Sequence, residues 1–467
     1  MVVGAGFVLW GLFIGLGQLS DNSFFTHLAT GRLILDDGIP RHDPYSFTAP
    51  GEPWVVQSWL ASVLYGWVDS WSGPDGLRVL MGVTTAVIAG ITWTLTRPAK
   101  SLAGRIVVTA LVLAVGTSVW APRPLLFGLV FLGVALLVAE ERLPPWVLLP
   151  VLAIWVNVHG SFPLALVALG TLAIGRKLDG VQPTVELRAL AWAAGGVVLG
   201  VLNPLGPVLV VFPVRLLQRQ EVLQQIVEWQ SPSFSSTWAR IFLVQVVVAV
   251  LLLVRRPSYR AAVPLVVFTA AALLGVRNVA VASLVLVPGM AHGLAGLGSI
   301  TGHERRGRGA VAALVVLGLL AGVLVVRATD EPAYDLRTYP VDALAWTEQA
   351  GWFVPEVNVA TQETVGNLLE LVQGRDARVF LDDRVDMYPP EIVDDFLTVL
   401  RGRPGWDRVL DEHEVDVVVW GADEPLMALL ADDETWRIPY TDGRFFVACR
   451  RDSVALADAA QAGATPC

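Results

Sequence analysis

Apolar residues fill the first 330 positions in blocks separated by short polar links. A bilayer-spanning helix needs about 20 apolar residues. Blocks of that kind lie at 2–19, 77–96, 102–119, 124–140, 238–254, 260–276, 279–297 and 309–326. Two longer runs are interrupted. The run 145–175 carries Asn157, His159 and Gly160, which predicts two short spans meeting at His159-Gly160. The run 188–214 breaks at Asn203-Pro204, because proline lacks an N–H and disfavours helix before it. Residues 54–71 mix Trp54, Trp59, Tyr65, Trp67 and Trp71 with Gln57, Ser58, Ser62 and Asp69. Aromatic rings on an amphipathic stretch favour the headgroup layer, so this stretch reads as interfacial and the total is 11 spans.

Beyond residue 330 the pattern changes to short apolar runs alternating with amphipathic stretches. Strands are expected at 357–361, 378–381, 415–420 and 445–448, and helices at 341–350, 364–373, 390–401, 406–413 and 424–431. That alternation predicts a small α/β domain over 331–450 with a mainly parallel sheet. Asp382-Asp383-Arg384 follows an expected strand, where open α/β sheets bind ligands; a salt-bridged loop is the other reading. No glycine-rich phosphate loop is present. Residues 451–467 are Ala-rich and read as a loose tail. The two cysteines, Cys449 and Cys467, make no framework and are expected to stay unpaired.

Composition sharpens this division. Of 467 residues, 54% are hydrophobic and 16% charged, against about 25% charged in an ordinary soluble chain. Residues 331–467 hold 11 Lys+Arg and 27 Asp+Glu, leaving 22 and 15 for residues 1–330. An acidic chain without a basic stripe argues against nucleic-acid binding. Met1 to Leu19 has no basic n-region or small-residue cleavage site, and reads as a retained first span.

With the N-terminus inside, the basic clusters gather on one side: Arg97, Lys100 and Arg105; Arg142; Arg176 and Lys177; Arg255, Arg256 and Arg260; Arg305, Arg306 and Arg308. That agrees with the positive-inside rule and places the acidic domain outside the cytoplasmic membrane. The membrane domain, 1–330, then has outside loops at 20–76 and 203–237. The same face collects Asp21, His27, Arg41, His42, Asp43, Arg123, Asn157, His159, Asn203, Glu228, Arg277 and Asn278. Ionisable groups at membrane depth are costly and mark functional sites by default.

The stretch Asp21-Asn-Ser-Phe-Phe-Thr-His27, then Gly38-Ile-Pro-Arg-His-Asp43-Pro-Tyr-Ser-Phe-Thr48 and Pro53-Trp54, resembles a bacterial subgroup of predicted membrane proteins in the GT-C superfamily of membrane glycosyltransferases. Protein O-mannosyltransferases and aminoarabinose transferases are more distant members. The resemblance covers the whole chain in layout but only these short motifs in residues. It implies a polytopic helical fold with an outside C-terminal domain, and transfer of a sugar from a polyprenyl-phosphate donor to an extracytoplasmic acceptor. The family's catalytic Asp maps onto Asp21. Asn22 stands where many members have a second acid, Ser58 where a Glu is frequent, and the Lys-Pro motif of the aminoarabinose transferases is absent.

Such a reaction needs a carboxylate to take the acceptor proton and cationic groups on the departing phosphate. Asp21, with Asp43 and His27, fits the first role. Arg123 and Arg277, with His159, Asn157, Asn278 and Glu228, fit the second; a divalent metal is left open. Each residue also has a local role available: Asp21 as a helix flank, Asp43 as a turn former, Arg123 and Arg277 snorkelling to headgroups, His159-Gly160 as a hairpin turn. Two other functions compete. A lipid or solute transporter calls for internal repeats and midplane polar groups, which the sequence does not display. A non-catalytic scaffold with a partner-binding outside domain accommodates Asn22 and Ser58.

Overall fold

A computed structural model of the chain describes residues 1–219, 227–295 and 307–467. The basic pair Arg305 and Arg306 and part of the expected loop 203–237 lie outside the described residues. The chain divides into two compact units, one of Met1–Leu19, Gln57–Ala61 and Val68–Tyr334, the other of Ser20–Val56, Ser62–Trp67 and Asp335–Cys467. Most of the first loop, expected to belong to the membrane domain, therefore folds with the C-terminal residues.

The first unit is helical. Four helical stretches among the described residues are long and apolar enough to cross a membrane: Trp59–Ala99, Leu102–Val119, Thr237–Arg255 and Arg308–Thr329. Shorter apolar helices include Val2–Gly15, Pro124–Ala139 and Tyr259–Leu274. A helix of about 16 residues is about 24 Å long, below the ~30 Å of a hydrocarbon core. Arg308–Thr329 is apolar on all sides, with Val311 62%, Leu319 67% and Val326 61% exposed. A helix of that composition with most of its surface uncovered is what a lipid solvent accommodates. The expected breaks fall where breakers stand. Helices Leu148–Val158 and Pro163–Leu178 meet at His159-Gly160, and Thr184–Gly200 and Val208–Leu217 flank Asn203-Pro204. The run Trp59–Leu95 is interrupted at Gly73, whose φ of 64° only glycine adopts readily, followed by Pro74.

Arg78 joins the two ends of this unit. Its guanidinium donates to Leu16 O from Nε (3.2 Å) and Nη2 (2.8 Å), and to Ala328 O and Glu331 O from Nη1. These carbonyls end the first and last helices, where no intrahelical donor remains. Beside them Leu19 N donates to Ala333 O (2.8 Å) and Gln18 Nε2 to Pro332 O (2.9 Å).

The second unit holds a four-stranded sheet: β1 (Val359–Thr361), β2 (Val417–Gly421), β3 (Trp436–Thr441) and β4 (Phe445–Arg450), in the order β1-β2-β4-β3. Only β1 and β2 pair parallel; the other two pairs are antiparallel. This corrects the expectation of a mainly parallel sheet. The unanticipated strand is β3, which contains Pro439 and shifts register between Arg437 and Tyr440. Proline is tolerated there because β3 is an edge. The expected strand 378–381 is also not part of the sheet. Val379 bridges the first loop instead, donating to Tyr45 O (3.0 Å) and accepting from Phe47 N (3.1 Å).

The tail is docked rather than loose. Helix Val454–Gln461 buries Leu456 in the core with Trp352, Val417 and Val447. Trp352 Nε1 donates to Thr465 O (2.9 Å), and Cys467 forms a disulfide with Cys449, 18 positions earlier. The expectation of unpaired cysteines is thus overturned. Spacing alone could not reveal the pair, because the fold of the intervening turn brings the two Cα atoms to 5.9 Å.

A buried ionic cluster fastens the first loop to the C-terminal residues of this unit. Arg384 donates to both oxygens of Asp382 (2.9 and 2.6 Å) and lies 2.7 Å from Asp43 Oδ1. Its guanidinium sits over the rings of Trp54 (4.5 Å) and Tyr45 (4.9 Å). Tyr388 OH donates to Asp382 Oδ2 (2.6 Å). The loop Asp382-Asp383-Arg384 is therefore the salt-bridged one of the two readings. Glu370 is wholly buried 3.7 Å from Arg384. Burial first, and the Asp382 charge second, push its carboxyl well above the usual range, whereas the Arg384 guanidinium holds Asp382 below its own despite burial.

A protonated Glu370 beside an ionised Asp382 yields a prediction. Glu370→Gln copies the neutral acid and should leave stability near parental at pH 7. Asp382→Asn removes the bidentate partner of the buried Arg384 and should cost on the order of 3–5 kcal/mol. The stability contributed by the depressed Asp382 pKa is present above the ordinary carboxylate range and lost as pH falls through its folded value. Thermal unfolding of the two variants between pH 7 and pH 3 checks both statements; equal losses at pH 7 would contradict the assignment.

Candidate functional site

The expected site residues divide between the two units: Asp21, His27 and Asp43 in the second, and Arg123, Asn157, His159, Glu228, Arg277 and Asn278 in the first. Asp43 is a structural residue. Its Oδ1 accepts from Tyr45 N (3.2 Å), its Oδ2 from Ser46 N (2.9 Å) and Ser46 Oγ, and Arg384 neutralises it with no side-chain exposure. It closes a turn and anchors the ionic cluster, which engages it from every side.

Asp21 is half-buried and stands at the N-cap of helix Asn22–Asp37, its Oδ1 accepting from Phe24 N at 3.3 Å. A carboxylate there is favoured by the helix dipole. His27, one turn on, has Nδ1 3.1 Å from Ser62 Oγ. Tyr339 lies within the field of Asp21 and Asp383. Burial, then Asp21, Asp383 and Asp335 in that order, push its phenol upward. Nothing local in the sequence brings Tyr339 and Asp383 near Asp21, since more than 300 positions separate them.

In the first unit three expected residues converge. Arg123 N-caps helix Pro124–Ala139, entered through Pro124 at its first position, and its Nη1 is paired with Glu228 Oε1. Glu228 and Trp229 form a short 3₁₀ turn, held to the link after helix Tyr259–Leu274 by Val276 N donating to Gln230 O (3.0 Å). In that link Arg277 lies over the Trp229 ring, 4.2 Å from its centroid. Partial burial, and then the like charge of Arg123, lower its guanidinium to about 10. The two guanidiniums are thus close enough to disfavour each other's charge, with Glu228 paired to Arg123. Trp229 completes the group; the Glu-Trp pair was visible in the sequence, its ring's role was not.

The turn at His159 packs near the same helix. A Cβ added at Gly128 would lie 2.7 Å from Ser161 Oγ and 3.2 Å from Trp155 Nε1, so the turn approaches the second turn of helix Pro124–Ala139. Ser161 N donates to His159 Nδ1 (3.1 Å). The neutral ring therefore carries its proton on Nε2. Asn157 and Asn278 do other work. Asn157 accepts from Trp59 Nε1 (3.0 Å) and donates to Ala153 O and Gly200 O, while Asn278 donates to Ala271 O (3.0 Å). Asn203 likewise closes its own turn on Gly200 O and Gly206 O.

Among the described residues no three His, Cys, Asp or Glu side chains are grouped so as to hold a metal. No protein-family model matches this chain, and no curated protein matches it either.

Proposed function

We propose that the protein is a multi-pass membrane glycosyltransferase that moves a sugar from a polyprenyl phosphate to an acceptor outside the cytoplasmic membrane. The observation that carries this reading is the pair Arg123 and Arg277 with Trp229. Their mutual repulsion is relieved by a phosphate, and the site lies at the ends of apolar helices. In the proposed step the acceptor oxygen bonds to the sugar's anomeric carbon as its proton passes to the Asp21 carboxylate. The anomeric carbon–oxygen bond to phosphate breaks, and its electron pair leaves with the lipid phosphate. Arg123 and Arg277 stabilise that developing charge, and the Nε2–H of His159 is a further donor. Asp43 has no part in this step, which leaves a one-carboxylate site.

The same reading keeps about 11 spans across the inner membrane, the shorter helices included, and places the acidic C-terminal residues outside. The Cys449–Cys467 disulfide supports that placement, since such bonds persist in oxidising compartments. The scaffold reading retains Asn22 and Ser58 in its favour, and the first experiment separates the two.

Asp21→Asn preserves shape and removes the proton acceptor. Donor binding should survive while transfer falls on the order of 10²–10⁴-fold. Arg277→Ala should weaken donor binding as well, because the phosphate is charged before the reaction begins. A panel of polyprenyl-phosphate sugars, assayed for binding and transfer with purified protein, reads both effects. A folded Asp21→Asn protein transferring at the parental rate would remove the catalytic assignment, and no transfer by the parental protein across the panel would favour the scaffold.

Topology is checked separately. Val372 is 72% exposed in the second unit, and among the described residues there is no free thiol. A Val372→Cys protein should react with an impermeant maleimide in intact cells whose outer membrane, if any, is permeabilised. Labelling only after lysis would invert the placement.

A further inference from the structure

The helices that carry Arg123 and Arg277 at one end carry a second polar group at the other. Helix Pro124–Ala139 runs from Arg123 to Glu140, helix Tyr259–Leu274 from Arg260 to the Arg277 link, and helix Val279–Leu294 from that link to His292. At 1.5 Å per residue, the two groups are about 24 Å apart along the bundle.

At this second end is a cavity of about 560 Å³, lined by Glu140, Arg142, Arg176, Arg256, Arg260 and His292 among others. Part of its charge is internally compensated. The wholly buried Glu186 accepts from Arg176 (3.1 Å to each oxygen) and from Arg260 Nε (3.1 Å). Glu140 takes Arg260 Nη1 (2.7 Å) and His292 Nε2 (2.8 Å). Arg142 and Arg256 have no carboxylate within ion-pair distance among the described residues. Arg256 makes only a long bond, 3.4 Å, to His292 O. Glu141 also lines the cavity, and Asp179 accepts from Ser258 Oγ and from the backbone of Tyr259 and Arg260, so what the wall offers an anion is Arg142 and Arg256. A small apolar crevice of about 20 Å³ adjoins the cavity. Leu172, Ala261, Gly289, Gly293, Arg256 and Arg260 border both, and beyond them the crevice is walled by Leu252, Leu265 and Met290.

Two guanidiniums without a carboxylate partner, beside a roomy cavity at the ends of apolar helices, are complementary to an anionic headgroup. We propose that they bind the phosphate headgroup of an anionic membrane lipid, with Arg142 and Arg256 on the phosphate and the acyl chains left in the surrounding bilayer. Guanidiniums suit phosphate oxygens geometrically, and basic pockets between membrane helices hold such headgroups. The Arg176–Glu186–Arg260–Glu140 network preorganises the wall, so it need not rearrange on binding. This site is distinct from the Arg123–Arg277 group and independent of any transfer reaction there.

The test uses the full-length protein in neutral detergent, with added phosphatidylglycerol, phosphatidylcholine or inorganic phosphate. Native mass spectrometry should show phosphatidylglycerol retained and phosphatidylcholine lost, and phosphatidylglycerol should raise the thermal midpoint as a ligand of the native state does. Arg142 and Arg256 are both exposed, so Arg142→Gln and Arg256→Gln spare the packing. Each should weaken phosphatidylglycerol binding on the order of tenfold. Equal retention of the two lipids, or parental affinity in the double variant, would overturn the proposal. Inorganic phosphate at millimolar concentration reproducing the full thermal shift would overturn the lipid assignment in favour of a soluble phosphate. Should the double variant fail to fold, the two single variants carry the same comparison.

Discussion

A helix ending in an apolar medium leaves its last carbonyls without donors, and water is not there to supply them. The first unit solves this repeatedly with side chains from other segments. Arg78 serves Leu16 O and Ala328 O at two helix ends, Arg105 serves Trp93 O, and Arg260 serves Ala139 O. Asn157 and Asn203 share Gly200 O, and Asn278 serves Ala271 O. A cation in such a position is favoured twice, by the hydrogen bond and by the negative end of the helix dipole. This requirement sorts the polar residues of the bundle into those that complete helices and those that do something else. Arg123 and Arg277 fall in the second group, because their principal partners are a carboxylate and an indole ring.

The second unit meets a related constraint, the cost of burying charge. Arg384 has three carboxylates within 4 Å, and two of them, Asp382 and Asp43, lie at 2.6 and 2.7 Å. The third, Glu370, has its carboxyl pushed upward, because burial and the neighbouring Asp382 charge both disfavour a further anion there. The arrangement fixes the first loop against the C-terminal residues and removes Asp43 from the pool of reactive groups. Asp21 lies instead at a helix N-cap, its Oδ1 accepting from Phe24 N.

Local signals in the sequence were read well. Breakers at His159-Gly160 and Asn203-Pro204 mark real interruptions, and the five expected helices of the C-terminal region fall within a residue or two of expectation. What failed was non-local. Val379 finds its backbone partner in Tyr45 and Phe47, so an apolar run with strand composition joined a loop rather than the sheet. Cys449 and Cys467 are brought together by a helix that an Ala-rich tail did not advertise. Pro439 disguised an edge strand. For the candidate site the sequence supplied residue types on one face but not their partners. Asn157 and Asn278 looked like ligands because an asparagine near a helix end reads the same whether it binds a substrate or a carbonyl.

The short helices bear on how the two ends of the bundle differ. A helix of about 24 Å places its terminal side chains near the two interfaces of a bilayer only if the layer thins or the side chains extend. Arginine suits that task, because its stem lies along apolar surface while the guanidinium reaches polar surroundings. At one end, Arg176 and Arg260 are locked to Glu186 and Glu140, so their charge is cancelled on site and the wall is rigid. At the other, Arg123 pairs with Glu228, and Arg277 lies over the Trp229 ring. The two ends therefore differ in how their arginines are held, by carboxylate pairs within the wall at one, and by a carboxylate and an indole ring at the other.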